Sequence, residues 1–200
     1  MEQVSNHIIL RGVLAGAPVF SHENHGRRFF RFPLEVARLS GTADILPVVA
    51  DETLLEDTVL TDGDLVEVTG QVRSCNCRSE TGRHLVISVY ASTLGLCDGE
   101  PENTATLQGV ICKAPVYRRT PLGREICDVM LAVSRHYRRT DYLPCILWGK
   151  SAREVACLSV GAPLHLTGRL QSRGYTKVVD GVPQQRVAYE ISAMESLCPV

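Results

Sequence analysis

The chain contains two copies of one pattern, and this duplication constrains its fold more than any other feature. Nine residues recur 97 positions later. The first-copy residues are Gly12, Pro18, Gly26, Leu34, Val36, Arg38, Asp44, Leu46 and Pro47, which recur as Gly109, Pro115, Gly123, Leu131, Val133, Arg135, Asp141, Leu143 and Pro144. The offset then becomes 98 and matches Thr53, Glu56, Gly63, Gly70 and Ser74 with Ser151, Glu154, Gly161, Gly168 and Ser172. Such a long match with one slip predicts two domains. We place them at 1–97 (half one) and 103–200 (half two), joined by the polar segment 98–102.

Composition and charge are those of an ordinary globular chain. It has 200 residues, 44% of them hydrophobic, and a net charge of −1. No apolar run approaches the roughly 20 residues of a membrane span. The N-terminus has no basic stretch leading into an apolar one, so we expect no secretory signal and a cytoplasmic protein. The eight cysteines are therefore expected to be reduced, and their spacing does not predict a metal site or any other cofactor.

Each half is predicted to be mostly β-structure. Apolar and polar residues alternate in five segments of each half, which in half one lie near 6–15, 28–38, 45–50, 65–75 and 84–92. Five strands with one helix between the third and the fourth are typical of the OB-fold, a Greek-key barrel. We expect Gly109 and Gly168 where strands bend to close the barrel. The predicted fold class is thus all-β with one short helix per domain, in two tandem OB-fold Greek-key barrels.

The single helix of each half has a recognisable start signal. Ser151 and Glu154 have the spacing of a capping box, and Thr53 and Glu56 repeat it in half one. We therefore expect Ser151 and Thr53 to cap the N-termini of the helices.

Several segments of half two carry a family resemblance. Segments 141–152 and 160–173 resemble the bacterial single-stranded DNA-binding protein family, as do 131–135 and 188–191. Half one is similar more weakly, mainly through 34–38 and 70–74. The resemblance implies an OB-fold that binds single-stranded DNA without reading its sequence, in DNA replication, repair or recombination. It also implies an assembly of four OB domains, which a two-domain chain reaches as a homodimer.

In this family, aromatic side chains on the barrel stack against successive bases. The matching positions in half two are all aromatic: Tyr137, Tyr142, Trp148 and Tyr175. The matching positions in half one are Ser40, Ile45, Ala50 or Asp51, and Cys77, none of which is aromatic. The alternative for the four aromatic residues is packing in the core.

The charge is divided unequally between the halves. Residues 1–100 have 8 Lys and Arg against 14 Asp and Glu, whereas residues 101–200 have 13 against 8. A protein that binds single strands needs a positive groove beside its stacking residues, and only half two offers both. The candidates for phosphate contact are Arg118, Arg119, Arg135, Arg138, Arg139, Lys150, Arg153, Arg169, Arg173 and Lys177. Their alternative role is a solvated surface.

Other functions are weighed against this interpretation. No catalytic motif is present, so an enzyme is not predicted. A scaffold or primosome accessory protein with weak or no nucleic-acid binding is the first alternative, and RNA binding by the same face is the second. The sequence ends without the acidic tip that the resemblance would imply, so we do not expect a general recruitment role. Half one is expected to supply mainly an interface in the dimer and only weak contact with DNA. Whether its barrel binds nucleic acid through Arg27, Arg28, Arg31 and Arg73 stays open.

Overall fold

A computed structural model describes residues 5–79, 82–179 and 181–197. Half one contains β1 (Asn6–Leu14), β2 (Val19–Asn24), β3 (Arg27–Ala37), β4 (Ala43–Asp51), α1 (Glu52–Glu56), β5 (Leu65–Ser79) and β6 (Gly82–Leu96). Half two contains β7 (Glu102–Ile111), β8 (Val116–Arg119), β9 (Glu125–Arg135), β10 (Arg139–Trp148), α2 (Gly149–Ala156), β11 (Pro163–Val179) and β12 (Val182–Leu197). Within the described ranges, neither helix is long and apolar enough to cross a membrane. The start of the N-terminal segment, where no secretory signal is predicted, and the C-terminal residues with Cys198 lie outside these ranges.

The long strands of each half close into a ring. In half one, β1 pairs with β3, β3 with β4, β4 with β6, β6 with β5, and β5 again with β1. Half two repeats this order with β7, β9, β10, β12 and β11. Counted over five strands, this is the order 1-2-3-5-4-1 of an OB-fold, as predicted. The short strands β2 and β8, which were not predicted, pair with β3 and β9 respectively.

Both helices begin earlier than predicted, and neither predicted cap is used. Helix α1 is capped by Asp51, whose Oδ1 accepts the backbone N–H of Thr53 at 3.0 Å. Helix α2 begins at Gly149, and the residue before it, Trp148, provides no side-chain cap. In each half the strand runs directly into the helix, so the capping position is the last strand residue rather than Thr53 or Ser151.

The two predicted closure glycines lie where backbones approach closely. A Cβ atom on Gly109 would meet the carbonyl oxygen of Ala132, and one on Gly168 would meet that of Ser192. Gly168 also follows a register shift between β11 and β12. Only glycine permits these approaches, so the sequence-based expectation for both positions is met.

The two rings share one sheet. Strand β1 pairs antiparallel with β7, with Ile8 opposite Ala105, so that all strands belong to a single 12-stranded sheet. Two matched contacts also join the halves: the backbone N–H of Ser74 donates to Asp141 at 2.7 Å, and that of Ser172 donates to Asp44 at 2.6 Å. The buried apolar side chains of both halves form one contiguous cluster.

Candidate nucleic-acid interface

Two of the predicted stacking residues lie on one face of β10. Tyr142 and Trp148 are six positions apart on the strand, so both side chains point to the side away from buried Leu143 and Leu147. The indole Nε1 of Trp148 donates to Ser192 Oγ on β12 at 3.1 Å. Trp148 is 36% exposed, which contradicts the alternative of a core residue.

The β11–β12 hairpin extends the same face. Ser192, which accepts from Trp148, lies opposite Arg169 in the register of β11 and β12. Strand alternation places Arg173, Tyr175 and Lys177 on the same face as Arg169. Three of the four predicted stacking residues and three of the predicted cations therefore share one surface, which we call the half-two face.

Tyr137 lies apart from this face, in the 3-10 turn His136–Arg138 between β9 and β10. Tyr137 is 95% exposed, and both Tyr137 and Arg138 have φ near +60°. Left-handed backbone is uncommon for residues other than glycine, and here it occurs at two consecutive positions. The turn thus presents Tyr137 to solvent, where a base can reach it.

The predicted cations divide into paired and unpaired groups. The paired ones are Arg118 with Asp128, Arg119 and Arg153 with Glu125, Arg135 with Asp141, Lys150 with Glu154, and Arg173 with Glu190. Within residues 5–79, 82–179 and 181–197, no carboxylate is within ion-pairing distance of Arg138, Arg139, Arg169 or Lys177. Exposed ion pairs are weak and screened by salt, so the exposed cations of this group, unlike Arg135, can also exchange their carboxylate for a phosphate.

A basic groove of about 610 Å³ lies beside Trp148. Arg119, Arg124 and Arg153 line it together with Glu125. The hydroxyl of Tyr117 donates to Glu125, and with Arg153 it lowers the pKa of that carboxyl. The groove therefore retains a net positive charge from three guanidinium groups against one carboxylate. Arg124 was not among the predicted phosphate-contact residues.

A second groove, of about 870 Å³, lies between the halves. Half two contributes Arg135, Tyr137 and Arg139, and half one contributes His25 and Arg73. Burial lowers the pKa of Arg73, and the nearby charge of Arg135 acts in the same direction. We call this the interhalf groove. It brings together Tyr137, which is absent from the half-two face, and an arginine of half one whose role the sequence left open.

The structure also settles which half-one residue corresponds to Trp148. Trp148 lies opposite Ile126 in the β9–β10 register, and Asp51 lies opposite Phe29 in the β3–β4 register. Because Phe29 and Ile126 are 97 positions apart, the counterpart of Trp148 is Asp51 rather than Ala50. The one-residue slip in the repeat therefore falls after the strand.

Comparison with known proteins identifies the family. The model of the single-strand binding protein family matches residues 102–197. The single-stranded DNA-binding protein B of Bacillus subtilis is 34% identical over 80 residues, which cover 71% of that protein and 36% of this chain. The chain belongs to the single-strand binding protein family. A Bacillus cereus single-stranded DNA-binding protein is 36% identical, but the alignment covers only 47% of its length.

More distant relatives of the family extend over both halves. The Deinococcus radiodurans single-stranded DNA-binding protein is 23% identical over 98% of this chain and 77% of its own length. The crystal structure of the wild-type Thermus aquaticus single-stranded DNA binding protein has a TM-score of 0.78 and 22% identity, covering 98% of this chain and 93% of that one. The OB-fold prediction is confirmed by this likeness over nearly the whole chain.

Membership of a binding-protein family agrees with the prediction that the chain is not an enzyme. Among the described residues, no group of three or more His, Cys, Asp or Glu side chains is placed to hold a metal ion. The seven described cysteines are free thiols.

Proposed function

We propose that this protein binds single-stranded DNA without base-specific readout. The observation that carries the proposal is the half-two face, where exposed Tyr142, Trp148 and Tyr175 lie beside Arg169 and Lys177. Flat apolar rings accept any base, and the cations accept the phosphates. Membership of the family, whose relatives are named for single-stranded DNA binding, supports the same conclusion.

In this proposal the two domains, 1–97 and 103–200, have unequal roles. Half two provides the principal binding surface: its stacking residues are Tyr137, Tyr142, Trp148 and Tyr175, and its phosphate contacts come from the predicted Lys and Arg residues. Half one mainly provides an interface in the proposed dimer and makes only weak contact with DNA. The protein would act in the cytoplasm, in DNA replication, repair or recombination.

Binding to three nucleic acids at two salt concentrations tests the proposed function. We expect tight binding of oligo(dT), weaker binding of duplex DNA, and an affinity that falls with salt at a slope of about −0.7 per contacted phosphate. Preference for oligo(rU) would change the proposed ligand to RNA. Absence of binding to any of the three would favour the scaffold alternative.

Substitution of the stacking residues tests the site. Trp148→Ala with Tyr175→Ala should weaken oligo(dT) binding, because each stacked base contributes about 1–3 kcal/mol. The control is Ile45→Ala with Cys77→Ala, at the half-one positions that match Tyr142 and Tyr175, which should bind like the wild type. Equal losses in the two double variants would show that the half-two face is not the site.

We also propose a homodimer, which would bring together the four OB domains implied by the family resemblance. Sedimentation equilibrium should then give twice the 21.9 kDa of one chain. A stable monomer would contradict the dimer without affecting DNA binding by half two.

A further inference from the structure

Half one has an aromatic row on its outer surface that does not occupy the expected positions. The imidazole of His22 on β2 stacks on the ring of Phe29 on β3, with centroids 4.9 Å apart and planes within 13°. Phe29 contacts Tyr90 on β6 at 5.6 Å, and the guanidinium of Arg73 on β5 lies 5.4 Å from the Tyr90 ring centre. We call these four residues the half-one platform. His22 is exposed, Tyr90 and Arg73 are half-buried, and Phe29 is buried beneath them.

The platform is the structural counterpart of the Trp148 region. In the β5–β6 register Gly70 lies opposite Ala91, and in the β11–β12 register Gly168 lies opposite Ala193. Tyr90 therefore takes the place of Ser192, the residue that accepts the hydrogen bond from Trp148. In half two the aromatic ring is Trp148 at the end of β10. In half one it is Tyr90 on β6, at the neighbouring position of the equivalent surface.

Arg73 links the platform to the interhalf groove. Its guanidinium lies against Tyr90 on one side, and the groove it lines also contains Arg135, Tyr137 and Arg139. Its Nε is buried and has no hydrogen-bond partner among the described residues. Asp141 accepts from Ser74 and is 3.3 Å from Arg135, so one carboxylate faces three arginines. This excess of positive charge suits a phosphate.

An acidic residue beside the platform, Asp51, has a cation of its own. Asp51 accepts the Thr53 N–H through Oδ1, and its Oδ2 is 3.6 Å from the guanidinium of Arg27. The negative charge of Asp51 is therefore offset by Arg27, and it does not cancel the positive charge of Arg73.

We propose that half one binds single-stranded DNA through the half-one platform, with Arg73, Arg135 and Arg139 holding a phosphate in the interhalf groove. The strand would pass from Tyr137 across the groove, and its next bases would stack on Tyr90 and His22. This inference rests on the proposed function, and it gives half one a direct part in binding besides its interface role.

The test replaces two platform residues with the residues that half two has at the equivalent positions. Tyr90→Ser and Arg73→Gln introduce the residues found at the equivalent positions, Ser192 and Gln171, so the fold should accept them. His22→Ala provides an exposed variant whose folding is not in question. The matched control is Phe20→Ser, because Phe20 is an exposed aromatic residue on the same hairpin but pairs with Phe30, whose side chain points to the opposite face from Phe29.

Binding is measured with two oligo(dT) lengths of about 8 and about 30 nucleotides, because one OB-fold covers roughly 4–16 nucleotides. The chain has a single tryptophan, Trp148, so its fluorescence reports occupancy of half two. We expect the three platform variants to bind the long oligonucleotide about five- to one hundred-fold more weakly than the wild type. Quenching of Trp148 by the short oligonucleotide should be unchanged, and Phe20→Ser should behave as the wild type with both.

Two results would overturn the inference, and they differ from each other. If the wild type binds the long oligonucleotide and all three platform variants match Phe20→Ser, half one does not bind DNA although the proposed function stands. If the wild type binds neither oligonucleotide, the proposed function fails and the inference fails with it.

Discussion

At the scale of single residues, the two halves are joined through a pair of buried aspartates. Asp44 accepts the N–H and Oγ of Ser172, and Arg38 donates to both of its carboxylate oxygens. Burial alone would raise the pKa of Asp44, but the hydrogen bonds from Arg38 and Ser172 outweigh it and hold the pKa below its usual value. Its counterpart Asp141 accepts from Ser74, but among the described residues no arginine forms a bidentate hydrogen bond with it.

This difference predicts how acid affects stability. Because the pKa of Asp44 is lower in the folded than in the unfolded chain, its carboxylate stabilises the fold above about pH 4 and ceases to do so as the pH falls through the folded value. Asp44→Asn should therefore lower the free energy of unfolding by about 1–3 kcal/mol at pH 7. It should also flatten the decline of stability in acid. Urea unfolding at pH 7 and at about pH 3 measures both.

The control for this prediction is Asp62→Asn, because Asp62 is exposed in the turn before β5. It should leave both stability and its acid dependence close to those of the wild type. If Asp44→Asn and Asp62→Asn unfold at the same urea concentrations at neutral pH, the interhalf hydrogen bonds do not contribute to stability.

At the residue scale, the sequence marked candidates through the repeat and through family positions. Trp148, Tyr142 and Tyr175 were found this way, and they lie on one exposed face. Tyr90 was missed because the repeat offset of 98 no longer holds between β6 and β12. That offset therefore does not match Tyr90 with Ser192, its structural counterpart. The duplicated Asp44 and Asp141 were seen as a match, but sequence alone does not reveal that each contacts a serine of the other half.

At the scale of elements, the sequence predicted the ring strands and the helix position, and it was wrong about helix caps. Alternation reports which residues are buried, so it found the strands that close the barrel. It could not find β8, whose four residues are all exposed. The capping-box spacing was misleading because the last strand residues, Asp51 and Trp148, already occupy the capping position.

Ring closure itself can be tested at one glycine. Gly168→Ala would place a methyl group against the carbonyl oxygen of Ser192, and this is backbone that cannot swing aside. We expect a loss of at least about 1–3 kcal/mol in the free energy of unfolding, as for an overpacked core. Gly174→Ala on the same strand is the control, because no atom lies within 4 Å of the added methyl group. Similar unfolding midpoints for the two variants would mean that the barrel relaxes at this point.

At the scale of the whole molecule, the near-zero net charge conceals an acidic half and a basic half. Splitting the sequence at the repeat revealed this difference without any structure. The pairing of β1 with β7 could not be predicted in the same way, because periodicity shows which face of a strand is buried but not which strand lies beside it. That pairing makes the interhalf groove, and it is why Arg73 and Arg135 line the same groove.

The shared sheet predicts that both halves unfold together. Strands β1 and β7 pair along six residues of each strand, and the buried side chains of both halves form one cluster. Separating the halves would expose two strand edges and part of this cluster, so an intermediate with one folded half should be scarce. Trp148 fluorescence follows half two alone, whereas far-ultraviolet circular dichroism follows both. We expect the two urea transitions to coincide, because neither half keeps its buried edge without the other. Two separated transitions would instead show that half two folds without half one, and the interface would then be a docking contact rather than part of a common fold.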